Sequence, residues 1–97
     1  MNVLHDVQHT RFVIALSDGE AELVYEMVGD DAIDLQHTEV PPSERNQGIA
    51  DTLVRAALAY AREHELRVIP SCPYVQGWFR RHPEERLASG VDAPPRV

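Results

Sequence analysis

Pro41–Glu63, PPSERNQGIADTLVRAALAYARE, is the stretch on which the reading of the fold turns. Two prolines break the chain, a polar segment follows, and a long helical pattern starts behind a glycine. Glycine is a poor helix former, so a glycine at a helix head points to something that must approach the backbone there. Ile49, Leu53, Ala56 or Ala57, and Tyr60 recur at helical spacing. They predict the buried stripe of a helix from Gln47 to His64. Asp51, Arg55, Arg62 and Glu63 fall mainly on its other side.

Upstream, Phe12–Leu16 is apolar and β-prone, and Ser17-Asp18-Gly19-Glu20 carries turn chemistry. Ala21–Val28 reads as a second strand, so the pair predicts a hairpin. After a turn at Gly29-Asp30-Asp31, Ala32–Val40 reads as a third strand that Pro41-Pro42 ends, because proline cannot donate to a ladder. Strict alternation would put Ile33, Leu35, His37 and Glu39 on one face, and Asp34, Gln36, Thr38 and Val40 on the other. Downstream, Arg67-Val68-Ile69 forms a short strand closed by Pro70. Strand, helix and strand make a βαβ unit, so its two strands should run parallel. Val75–Arg80 predicts a second short helix, Glu84–Ala88 a further turn, and Ser89–Val97 a frayed tail. The expected fold class is α/β: a mixed, mostly antiparallel sheet of about four strands in one compact domain spanning residues 1–97.

The chain has 97 residues, 43% of them apolar, which suits one domain with one core. Its net charge of −7 argues against general nucleic-acid binding, which needs clustered Lys and Arg. The single cysteine, Cys72, cannot make an intramolecular disulfide, which suits a reducing compartment. The start, MNVLHDVQHTRF, lacks the basic end and apolar run of a signal peptide. No apolar run approaches the ~20 residues that span a bilayer. The expectation is a cytoplasmic protein with no membrane partner.

Arg45-Asn46-Gln47-Gly48-Ile49-Ala50 lies between a strand and a helix. A helix start leaves backbone N–H groups unpaired under the positive end of the dipole, where phosphate binds well. Gly48 and Ala50 leave room for close approach, and Arg45 adds a fixed positive charge. A plain helix start is the alternative. Neither G-x-x-x-x-G-K-[ST] nor G-x-G-x-x-G is present.

The segment resembles the R/Q-x-x-G-x-G/A signature of the GNAT superfamily of N-acetyltransferases, with Arg45, Gly48 and Ala50 at its three positions. His37 to Glu85, with its His-Thr-x-Val-Pro-Pro lead-in and its Cys-Pro-Tyr…Arg-His-Pro ending, resembles a short, single-domain branch of that superfamily, the YjdJ type. The resemblance implies an acetyl-CoA fold in which the strands flanking the helix splay apart and admit the pantetheine arm. Val40 would then offer backbone groups to pantetheine. Gln47, Gly48, Ile49 and Ala50 would present N–H groups to the pyrophosphate, with Arg45 and Asn46 as further cofactor-binding candidates. The two helices that usually follow the first strand are missing, and Ser17-Asp18-Gly19 fills the gap. That implies an open acceptor side, suited to an amine such as a protein or peptide lysine, in a monomer or a homodimer.

The resemblance also points to catalytic candidates. Glu39 and His37, beside the expected acyl site, are candidates for the base that deprotonates the amine; a solvated strand face is the alternative. Tyr74 is the candidate proton donor to the leaving thiolate, or else a packed aromatic. Cys72 could carry the acetyl group in a two-step route, line the acyl pocket, or be a small buried hydrophobe. Arg80-Arg81-His82 reads as a solvated helix end, with a nucleotide phosphate as the second reading. His37-Thr38-Glu39 and Pro70-Ser71-Cys72 also echo parts of a zinc deaminase signature, but its second cysteine is missing. No metal is expected. The rival functions are a CoA or acyl-CoA binding module without transferase activity, and a small adaptor.

Overall fold

The computed structural model describes residues 1–92. The strands are β1 (Leu4–Asp6), β2 (Arg11–Leu16), β3 (Gly19–Val28), β4 (Ala32–Glu39) and β5 (Arg67–Pro70); the helices are α1 (Ile49–Glu63), α2 (Pro73–Arg81) and α3 (Pro83–Ala88). They form one five-stranded sheet in the order β1-β2-β3-β4-β5. The first four strands are antiparallel, and β5 runs parallel to β4. The fold is therefore the mixed, mostly antiparallel α/β class, with the hairpin and the βαβ unit in place. The sheet has five strands rather than about four. β1 is only three residues long, too short for its alternation to be legible.

Every strand residue of the main core falls on one face of the sheet. Phe12 and Ile14 of β2, Ala21, Leu23 and Tyr25 of β3, Ile33 and Leu35 of β4, and Val68 of β5 form this layer. Against it pack Ile49, Leu53, Val54, Ala57, Leu58 and Ala61 of α1, and Val75, Trp78 and Phe79 of α2. Burying each large apolar side chain is worth about 1.5–3 kcal/mol, and this layer holds both helices on the sheet. The buried arc of α1 is wider than the stripe read from the sequence, because α2 covers a second flank. Cys72, Leu66 and the half-buried Val40 extend the same core.

α1 begins one residue after Gly48 and ends at Glu63. Its end is a Schellman closure: Leu66 N–H donates to Ala61 O at 2.7 Å and Glu65 N–H to Arg62 O at 3.2 Å. Glu65 takes the left-handed conformation (φ 56°) that glycine more often supplies. α2 starts at Pro73, two residues earlier than the sequence pattern suggests, since proline is well placed in a first helical turn. After α3, Val68 N–H donates to Ser89 O, Arg86 pairs with Asp92, and Val91 packs on the core. Of the tail expected at 89–97, Ser89–Asp92 are held in this way, and residues 93–97 lie outside the described residues. No helix among the described residues is long and apolar enough to cross a membrane.

Candidate active site

β4 pairs with β3 as far as Glu39, but with β5 only as far as Leu35 opposite Pro70. Cys72 N–H donates to Leu35 O at 2.8 Å, and the chain then turns away into α2. Beyond Leu35 the β5-facing side of β4 has no strand partner among the described residues. A cleft of about 570 Å³ opens there, lined by His37, Thr38, Glu39 and Val40 of the β4 arm, by Glu44, Arg45, Asn46, Gly48, Ile49, Ala50 and Asp51 of the loop and helix start, and by Tyr74 of α2.

The loop that feeds α1 is built to present backbone. Asn46 (φ 66°) and Gly48 (φ 76°) are both left-handed, and no side chain caps the helix. A Cβ placed on Gly48 would meet nothing within 4 Å, so the approach to the helix head is open. Thr52 donates through both N–H and Oγ1 to Gly48 O, which fixes that peptide without covering the free N–H groups. Arg45 Nε donates to Val40 O at 3.2 Å, so the Val40 carbonyl already has a partner. The hairpin turn braces the rim: Ser43 Oγ donates to Asp18 Oδ2 at 2.7 Å and Ser17 Oγ to Glu44 Oε1 at 3.1 Å.

A β-bulge changes which way the β4 side chains point. Tyr25 pairs with Leu35 but Val24 pairs with His37, so Gln36 is an extra residue. The face expected to carry Ile33, Leu35, His37 and Glu39 is therefore split. Ile33 and Leu35 lie in the core, whereas His37 and Glu39 turn to the opposite face beside Val24 and Glu22. Strict alternation fails because it allows no insertion in the ladder. His37 Nε2 and Glu39 Oε2 lie 3.2 Å apart, and both side chains are more than half exposed. Thr38 takes the inward position, opposite Leu23, with its Oγ1 3.5 Å from Cys72 Sγ.

Cys72 is only 3% exposed and sits behind Thr38, outside the cleft lining. Gln47 also lies outside the lining. The remaining candidates, Glu39, His37, Tyr74, Val40, Arg45, Asn46, Gly48, Ile49 and Ala50, all line it. Thr38, Glu44 and Asp51 line it too, without having been singled out in the sequence. Asp51 falls in the helical pattern, but its partner is 27 residues away: Trp78 Nε1 donates to Asp51 Oδ1 at 2.7 Å, and Arg55 Nε to Asp51 Oδ2 at 2.9 Å. Burial pushes the Asp51 carboxyl up; the Trp78 and Arg55 bonds, with the charges of Arg55 and His82, outweigh it and hold it below its ordinary range. Burial, with Asp51 and Cys72 nearby, raises the Tyr74 phenol, and Arg81 opposes the rise.

Residues 11–88 match the family model described as GCN5-related N-acetyl-transferase. The chain belongs to that family. Protein NATD1 of Bos taurus is 40% identical over 85 residues, covering 86% of this chain and 75% of that one. Protein NATD1 of Danio rerio is 39% identical over 93 residues, covering 94% and 84%. A GCN5-like protein of Staphylococcus aureus, solved by NMR in solution, superposes with a TM-score of 0.71 at 24% identity, covering 88% of this chain and 83% of that one. It shares the fold. Against this GCN5-related background the cleft falls where β4 and β5 separate, at the head of α1.

Proposed function

We propose that this chain is an acetyl-CoA-dependent N-acetyltransferase acting on an amine, with a protein or peptide lysine as the acceptor class. The observation that carries the reading is the open, uncapped head of α1 at the separation of β4 and β5. Gly48 and Ala50 leave the backbone N–H groups of the first turn free to take a pyrophosphate, and Arg45 and Asn46 stand at the rim. Gln47, outside the lining, contributes backbone at most. Val40 N–H and the unpaired edge of β4 suit the pantetheine arm. Acetyl-CoA supplies the acetyl group already activated as a thioester.

The amine must arrive neutral, and an unperturbed lysine has a pKa of about 10.4. Glu39 and His37 form a contacting pair on the cleft wall, so a proton taken by one is shared with the other. Tyr74, across the cleft, gives a proton to the departing sulfur. Cys72 fits this scheme as a buried wall behind Thr38, which favours direct transfer over an acyl-cysteine route. The short Ser17-Asp18 turn leaves the acceptor side unwalled by helices, which suits a side chain presented on a larger molecule.

Calorimetric titration with acetyl-CoA, and with pantetheine fragments lacking the pyrophosphate, tests the reading. Saturable binding that weakens sharply without the pyrophosphate is expected. No binding would leave a small adaptor as the better account. Given binding, thiol release with lysine peptides should fall about 10²-fold in Glu39→Gln combined with His37→Ala. Unchanged turnover would point instead to another base, and binding without any turnover to a CoA-binding module.

A further inference from the structure

Gly77 lies in the middle of α2, where glycine is a poorer helix former than alanine. Its φ is ordinary for a helix, so no turn or backbone conformation calls for it. What it does is leave a slot. A Cβ at position 77 would meet only two side chains, Arg81 Nη1 at 3.4 Å and Arg80 Nη2 at 3.6 Å. Tyr74, Gly77 and Arg81 share one stripe of the helix, since residues three and four apart face the same way. Through the slot Arg81 folds back along the helix, and its guanidinium carbon stands 5.7 Å from the centre of the Tyr74 ring.

We propose that Arg81 is a positioning residue for the transfer: held in the slot left by Gly77, its guanidinium fixes the Tyr74 ring in the cleft and stabilises the phenolate. This rests on the transferase reading above. When the amine nitrogen bonds to the acyl carbon, the carbon–sulfur bond breaks and its electron pair leaves on sulfur. The sulfur takes the Tyr74 proton, and the phenolate regains one from water. The negative charge thus sits on a ring whose face meets a cation, which stabilises it. The other groups around the phenol are Asp51 on α1 and Cys72 ahead of α2, which both disfavour the phenolate. Glu44, Arg45, His37 and Glu39 stand on the cleft walls. Arg81 offsets the first two.

Two variants separate positioning from folding. Arg81→Met keeps the helix and the stem but removes the charge. Gly77→Leu fills the slot, improves helix propensity, and displaces the guanidinium. Both should lower kcat about tenfold with KM for acetyl-CoA within twofold of the parent. Gly77→Leu should also melt at or above the parent temperature, so its loss cannot be a stability effect. Arg81→Lys should recover part of kcat.

A readout independent of turnover comes from the ultraviolet titration of the phenols, with the Tyr74 transition assigned by its absence in Tyr74→Phe. Its midpoint should move to higher pH in Arg81→Met and in Gly77→Leu. A midpoint equal to the parent's in both would overturn the proposal, as would full kcat in both. A shifted midpoint in a protein that neither binds acetyl-CoA nor turns over would uphold the Arg81–Tyr74 contact, overturn its role in transfer, and count against the transferase reading.

Discussion

At its C-terminal end α1 is closed and filled; at its N-terminal end it is left open. At the closed end Tyr60 meets the His5 ring edge-on at 4.5 Å and lies 4.2 Å from the His64 ring. His5 stacks on Phe12 at 4.2 Å and its Nε2 lies 2.7 Å from Tyr25 Oη. The last carbonyls are taken up by the Schellman closure. At the other end Gly48 supplies no side chain, nothing caps the first turn, and the cleft begins. Both ends hold a residue in left-handed conformation, Glu65 at one and Gly48 at the other. At the closed end hydrogen bonds and packing offset that cost. At the open end the polar backbone is left uncovered by side chains, and the surrounding ties hold the loop rather than fill it.

The largest effect should come from filling the open end. Gly48→Glu sets bulk and negative charge against the helix head, at a φ that side chains avoid. Acetyl-CoA affinity should fall at least about 10²-fold by calorimetry, while stability drops by only about 1 kcal/mol. Parental affinity in this variant would sink the assignment of the open end as a phosphate site.

Next in size is the tie between the first turn of α1 and α2. Asp51→Asn loses the charge that holds Trp78 and Arg55, and should cost about 1–3 kcal/mol in denaturant unfolding at neutral pH. The folded-state value of this carboxyl is depressed. Its contribution is therefore complete above the unfolded carboxylate value of about 3.9 and is lost as pH falls through the folded one. Parent and variant should converge in strong acid. A gap that persists there would mean that packing, not charge, joins α1 to α2.

The smallest effect lies at the closed end. His5 is held below its ordinary value by burial and by the charge of His64, with Asp6 opposing. Its neutral form is favoured in the folded chain. The stability it contributes is present above about pH 6.5 and lost as pH falls through the lower folded value. Melting temperature should decline as pH falls below about 6.5 in the parent, and less so in His5→Phe, whose ring keeps the stack on Phe12. Acetyl-CoA affinity of His5→Phe at pH 7.5 should match the parent. A changed affinity would show that the two ends of α1 are coupled.

Local chemistry wrote much of this molecule in plain view. The Ser17-Asp18-Gly19 turn, the Pro41-Pro42 break, the stripe of α1 and Pro70 at the end of β5 follow from propensity and period, which act over a few residues. The open helix head was legible for the same reason: Arg45, Gly48 and Ala50 lie within six positions, and their placement depends on a single helix start. Tertiary structure decided the rest. The bulge at Gln36 depends on how β3 and β4 pair, and it alone sends His37 and Glu39 to one face and Thr38 to the other. β1 is a strand only through its pairing with β2, where His5 stacks on Phe12. Asp51 meets Trp78, and Cys72 disappears behind Thr38, only once α2 has folded back beside α1. The cleft is of that kind as well: it is the space left where β4 outruns β5, which no single stretch of sequence contains.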